Sequence, residues 1–304
     1  MKIINQYRKW YLEHLNPCSS FEICSRSVRH IHGEKGLLGG MFGAYVGDRY
    51  REGGIVLVAI NPNMGYSKGA AHIVQGVEVN PGDSPWYDFD HPKHLNYSMN
   101  LARTDDGSFG WAGHSLFAKA LPMIRYIADN SKLEYDDLVF TNIVHCSHNK
   151  ARSAPTDAQF GNCVYHQRHI QEELSILKPS IIICTGNLVY TSLLDLFVPE
   201  HVSKRGAFNE PWAWAGDRLI GYMPHLSSLR SLNTQQSRFK NAHNPMPDFY
   251  RRLYGGDEED PNYEQVLQWT TSHEGISTLY ENVYLHLLAI SIRNEYKKRT
   301  SLGS

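Results

Sequence analysis

Four short apolar runs decide the fold: Ile55-Val56-Leu57-Val58-Ala59-Ile60, Leu138-Val139-Phe140-Thr141-Asn142-Ile143-Val144, Ile181-Ile182-Ile183-Cys184-Thr185 and Leu219-Ile220-Gly221-Tyr222-Met223. Continuous apolar runs of this length read as strands covered on both faces, as in a parallel sheet. Helical patterns lie between them. One covers Ala112 to Ile127. Another covers Thr156 to Leu177, started by Pro155-Thr156-Asp157 and stopped by Pro179. Strands alternating with helices predict an α/β fold, a three-layer sandwich around a central, mainly parallel four-stranded sheet. Ligands of such sheets sit beyond the carboxyl ends of the strands. The segments there are Asn61-Pro62-Asn63-Met64-Gly65, His145-Cys146, Gly186-Asn187 and Pro224-His225.

Working outward, Ile3 to Leu15 reads as an amphipathic helix with Ile3, Tyr7, Trp10 or Tyr11, and Leu15 near helical spacing. Residues 66–106 are rich in Gly, Pro and Asn and weakly periodic. A stretch that long without strong periodicity is a functional lid or a small subdomain. After Asn233 come an acidic break from Gly255 to Asp260 and a last long helix, roughly Ser277 to Arg299. Ser277 caps it, and Lys297, Lys298 and Arg299 suit the negative end of its dipole. The expected organisation is a main domain over 1–232, with the 66–106 insertion, and a helical extension over 233–304 packed on it.

Composition narrows the class. The chain has 304 residues, 41% of them hydrophobic, which is enough for a large core. Its net charge of −1 provides no global attraction for nucleic acid, so such a partner needs a local patch. No apolar run approaches the roughly 20 residues of a membrane span. The five cysteines are odd in number and widely spread, against a secreted disulfide framework. A soluble cytoplasmic protein, and a monomer, are expected.

The segments after the strands resemble the uracil-DNA glycosylase superfamily, in order, from about Cys18 to Arg230. Val58-Ala59-Ile60-Asn61-Pro62-Asn63 is similar to the first catalytic motif in its mismatch-specific form. Gly107-Ser108-Phe109-Gly110-Trp111-Ala112-Gly113 resembles the Phe segment of the iron–sulfur branch. Thr141-Asn142-Ile143-Val144-His145-Cys146, then Pro155-Thr156 and Cys163, resembles that branch's Asn and Cys segment, running on into Lys178-Pro179-Ser180-Ile181 and Thr185-Gly186. His225-Leu226-Ser227-Ser228-Leu229-Arg230 resembles the second catalytic motif. Pro224 precedes His225 here, where the family has His then Pro. Five residues separate Cys18 from Cys24, where the family commonly has two.

The resemblance implies a monofunctional DNA glycosylase that takes a pyrimidine out of the stack and hydrolyses its N-glycosidic bond. The reaction needs a positioned water, a donor for the departing base and a pocket for the base. Asn61 and His225 are the expected catalytic pair: the Asn61 amide orients water, and His225 donates to the base oxygen. Ile60, Phe109 and Asn142 are expected around the base. Phe109 stacks on it, and the Asn142 amide has a donor and an acceptor for uracil O4 and N3–H, or for cytosine N4 and N3 after an amide flip. Each has a structural alternative: a turn residue for Asn61, a core ring for Phe109, a backbone-satisfying amide for Asn142 and a surface imidazole for His225.

For DNA, Leu226 or Leu229 is the expected apolar wedge. Arg230, Arg238 and Lys240 form a patch with no acidic residue between His225 and Met246; an ordinary solvated face is the alternative. The resemblance implies that Cys18, Cys24, Cys146 and Cys163 hold a [4Fe–4S] cluster. Zinc on Cys146 and Cys163 with His145, His148, His166 or His169 is a rival, and plain core thiols are another. Cys184 is expected in the core. The insertion suggests a pocket enlarged for a bulky base, such as glucosylated hydroxymethylcytosine of phage DNA, which would make this a defence enzyme; uracil repair is the competing substrate assignment. A DNA-binding relative that has lost hydrolysis is a second function class. A nucleotide enzyme on a doubly wound sheet is a third, but no Gly-rich phosphate loop supports it.

Overall fold

The computed structural model describes residues 3–15, 18–27, 43–60, 72–74, 77–79, 101–103, 109–111, 116–146, 154–201, 210–225, 229–241, 246, 248–254, 263–271 and 283–302. Asn61, Leu226, His148 and Ser277 lie outside the described residues, as does the acidic break. The strands are β1 (Tyr45–Val46), β2 (Ile55–Ala59), β3 (His72–Val74), β4 (Val77–Val79), β5 (Leu101–Arg103), β6 (Phe109–Trp111), β7 (Leu138–Asn142), β8 (Ile181–Thr185), β9 (Trp212–Ala215) and β10 (Arg218–Met223). The α-helices are α1 (Ile3–Trp10), α2 (Phe21–Ser27), α3 (Leu116–Ile127), α4 (Asp157–Gly161), α5 (His169–Leu177), α6 (Asn187–Phe197), α7 (Leu229–Lys240), α8 (Asp248–Tyr254), α9 (Tyr263–Thr271) and α10 (Val283–Leu302).

The α/β class is as expected, and the four apolar runs are strands. The sheet, however, has six strands rather than four, in the order β1-β7-β2-β8-β10-β9. Strands β2 and β7 run parallel, Ile55 opposite Leu138 and Ala59 opposite Asn142. The two extra strands are antiparallel edges: Tyr45 pairs with Phe140, and Ala215 with Arg218. Two residues are too few for β1 to show a period. Strand β9 carries two tryptophans and closes a hairpin through Gly216-Asp217, a two-residue turn with Gly216 at φ 67.

The chain divides into two compact units, Met1–Ser115 with Tyr135–Ile182, and Leu116–Glu134 with Ile183–Ser304. In the first, α1 buries Tyr7 and Trp10 and continues as a π-helical turn, Tyr11–Leu15, that buries Tyr11 and Leu15. The expected single helix from Thr156 to Leu177 is broken. Thr156 caps α4 with a reciprocal bond to Gln159. A π-helical turn, Asn162–His166, follows, and Arg168 at φ 54 separates it from α5. This break lets Cys163 and His169 both turn inward. Gly47 is required where β1 ends: a Cβ there would sit 2.1 Å from the Asp136 carbonyl oxygen. Residues of the 66–106 insertion contribute the small antiparallel pair β3–β4 and the strand β5, which pairs antiparallel with β6 beyond the insertion.

In the second unit, α10 covers Val283–Leu302; its expected start at Ser277 lies outside the described residues, and it runs past the expected end at Arg299. Val283 to Ile290 are all buried, so the first half of the helix is a core element rather than an amphipathic one. Its later turns are held by polar contacts. Arg293 bonds to Asp129 and lies 4.2 Å from the Tyr126 ring centroid, and Lys297 Nζ is 3.0 Å from Asp129 Oδ2. Arg299 covers the Trp214 ring, which stacks on Tyr296. Among the described residues no helix is long and apolar enough to cross a membrane.

Candidate functional site

Strand β7 ends in two polar residues inside an otherwise apolar run, Thr141 and Asn142, both buried. Adjacent side chains on a strand point to opposite faces, so they serve different neighbours. Asn142 is 4% exposed, and its Oδ1 has no hydrogen-bond partner among the described residues. A buried amide oxygen without a partner is uncommon. The ladder continues past Asn142, with Ile143 N–H donating to Ala59 O (2.8 Å) and Val144 N–H to Ile60 O (2.9 Å). The carboxyl ends of β2 and β7 are therefore locked side by side, and half-buried Ile60 stands next to the Asn142 level.

Phe109 begins β6, and Arg103 of the insertion pairs with it. Leu229 and Arg230 begin α7; Arg238 and Lys240, in its last turn, are exposed. His225 follows β10 and is half-buried, and burial lowers its pKa below the usual imidazole value. The Gly186 N–H donates to Met223 O (2.7 Å), tying the turn after β8 to the end of β10. Gly186 has φ 103, and a Cβ on it would lie 3.2 Å from the His225 Cβ. The Thr185-Gly186 segment thus sets how closely His225 approaches.

Cys18, Cys24, Cys146 and Cys163 are brought together. All four are buried, free thiols, and each interacts electrostatically with the other three. The Cys146 thiol donates to Cys163, which raises the first and lowers the second, so Cys163 is the one that loses its proton first. Burial raises Cys18 and Cys24. Cys184, apart from this group, is a core residue of β8 as expected, its thiol raised by burial.

Polar bonds hold the segment from Cys18 to Ser27 against the segment from Thr156 to His169. Gln167 Nε2 donates to Ser20 Oγ (2.8 Å), Asn162 Nδ2 to Cys24 Sγ (3.5 Å), and Ser27 Oγ shares a bond with Thr156 Oγ1 (2.8 Å). His169 Nε2 lies 3.4 Å from Cys18 Sγ. In number and softness the donors suit an iron–sulfur cluster. The sulfurs are gathered rather than drawn into a coordination shell: among the described residues no group of three or more His, Cys, Asp or Glu side chains is arranged to hold a metal ion.

Behind the thiols lies a network that the sequence reading missed. Glu173, on α5, is fully buried. The Tyr7 hydroxyl donates to its Oε1 (2.7 Å), the Thr141 hydroxyl to its Oε2 (2.6 Å), and the Ala44 N–H donates to the Tyr7 oxygen. His145, also fully enclosed, places Nε2 4.0 Å from Glu173 Oε2. Burial pushes the Glu173 carboxyl up to about 7, against the opposing pull of the Thr141 and Tyr7 hydroxyls. Burial, with His145 nearby, pushes His169 down to about 4, so its ring is neutral at ordinary pH. A signal for Glu173 was present: with Ile170 three residues before it and Leu177 four after, it falls inside the apolar stripe of α5.

No family model matches this chain, and a search of the curated proteins finds no match.

Proposed function

We propose that this protein is a monofunctional DNA glycosylase of the uracil-DNA glycosylase-like fold. It accepts a pyrimidine taken out of the DNA stack and hydrolyses the bond to deoxyribose, leaving an abasic site. The observation that carries this reading is the Asn142 amide: buried at the carboxyl end of a parallel strand, with an acceptor that nothing else among the described residues uses. A base edge supplies the complementary donor, and the amide nitrogen supplies the return bond.

In this reading Asn61, shortly after β2 in sequence, orients the hydrolytic water through its amide oxygen. Phe109 stacks on the base, and His225 donates to the oxygen that gains charge as the base leaves. Cys18, Cys24, Cys146 and Cys163 would hold a [4Fe–4S] cluster, whose contribution is structural, cross-linking α2 to the turn carrying Cys163 and to the loop after Asn142. Arg230, Arg238 and Lys240 face DNA phosphates, with Leu226 or Leu229 as the wedge.

One observation favours bulky modified cytosine, such as the glucosylated hydroxymethyl form, over uracil. The last described strand of the insertion, β5, pairs directly with the strand that carries Phe109. A 41-residue insertion joined to the base-stacking strand alters the slot itself, which a small base such as uracil does not require. Defence against phage DNA is the corresponding role.

The test is single-turnover base release from oligonucleotides carrying uracil or the modified cytosine. Asn142→Ala should slow release about 100-fold or more, the scale for loss of one positioned hydrogen-bonding group. Wild-type rates retained by a folded Asn142→Ala protein would refute the assignment.

A further inference from the structure

We infer that His169 is a positioning residue for the four-cysteine centre: its Nε2–H holds the Cys18 sulfur when that sulfur is a metal-bound thiolate. The inference rests on reading Cys18, Cys24, Cys146 and Cys163 as an iron–sulfur site, and it adds a residue that the cysteine pattern does not specify.

Nε2 of His169 lies 3.4 Å from Cys18 Sγ, within hydrogen-bond range for sulfur. The ring is buried and held on two sides. Trp10 packs edge-on at 6.5 Å, its indole N–H fixed by Glu172 Oε2 (2.9 Å). His145 packs edge-on at 6.0 Å. His145 in turn lies beside Glu173, which Tyr7 and Thr141 hold. The backbone contributes as well: Arg168 in the left-handed region starts α5 at His169 and turns the ring toward Cys18.

The tautomer follows from the chemistry of the partner. A metal-bound thiolate carries no proton and can only accept, so the shared hydrogen belongs to Nε2. That leaves Nδ1 as a bare acceptor, and Nδ1 is the ring atom with no partner among the described residues. The opposite tautomer would strand a buried N–H there, the less tolerated of the two orphans. A hydrogen bond to a cluster sulfur favours the more electron-rich, reduced state and so raises the potential.

The test compares the iron–sulfur-loaded full chain as wild type, His169→Phe and His169→Gln, with iron and sulfide content measured for each. Potentials come from redox titration with dithionite as the electron donor. His169→Phe should keep its iron and sulfide, yet at the wild-type midpoint potential its oxidised-to-reduced ratio should rise about tenfold, equivalent to about 59 mV for one electron. His169→Gln, which retains an N–H, should recover at least half of that change. Equal potentials in three fully loaded proteins would overturn the inference. Pulsed EPR of the reduced, 15N-histidine-labelled wild-type and His169→Gln proteins gives a readout independent of the potentials. A weak histidine coupling that disappears in His169→Gln supports the inference; no coupling, or one of the strength of a direct iron ligand, overturns it. A wild-type protein without iron and sulfide would overturn the cluster reading itself, and the inference with it.

Discussion

Replacing Glu173 by Gln should make the protein's stability nearly independent of one large pH effect. The folded-state carboxyl titrates at about 7 against an ordinary value of 4.5, with burial as the main cause. The folded protein therefore prefers the protonated form. Stability from this group is fully present below pH 4.5 and is lost as pH rises through 7. A shift of that size corresponds to roughly 3 kcal/mol in total, of which about 2.5 kcal/mol falls between pH 5 and pH 8. Gln has nearly the same volume, stays neutral, and can exchange hydrogen bonds with the Tyr7 and Thr141 hydroxyls. Urea unfolding of both proteins at matched metal content, from pH 5 to 8, gives the difference directly. The variant's stability relative to wild type should rise by about 2.5 kcal/mol across that range. A flat difference would mean that burial does not favour the protonated carboxyl, and one that falls with pH would mean the carboxylate is stabilised as an anion, with His145 as the available cation.

Other consequences are simpler. Gly186→Ala should destabilise the second unit by about 1–3 kcal/mol, because the residue sits at φ 103 with His225 Cβ 3.2 Å away from a new methyl; thermal unfolding reads this, and an unchanged midpoint would contradict it. The double variant Arg238→Ala, Lys240→Ala should weaken DNA binding uniformly across sequences and reduce the slope of log K against log salt by roughly 2. An unchanged slope in a fluorescence titration would remove these residues from the interface.

The four central strands were legible because burial on both faces leaves continuous apolar runs. The start of α4 was legible too, since Thr156 and Gln159 spell a capping box. Strand β1 was not, because two residues carry no period. Strand β9 left a readable trace in Gly216-Asp217 between Trp-rich and apolar stretches. The break between α4 and α5 escaped periodicity, because a π-helical turn and one left-handed Arg168 preserve the apolar stripe while shifting its phase. The cysteine grouping was legible only through resemblance, since 128 positions separate Cys18 from Cys146. Glu173 was missed because paired acids on a helix usually face water, and its partners Tyr7 and Thr141 are remote in sequence. The position of a charge within the stripe was the better guide.

Mass spectrometry of free bases released from duplex DNA containing uracil, hydroxymethylcytosine or its glucosylated form decides whether this protein is a glycosylase. At least one of these pyrimidines should be released with an abasic site left in the strand, the glucosylated base fastest. A folded wild-type protein that binds the DNA yet releases none of these bases would contradict it.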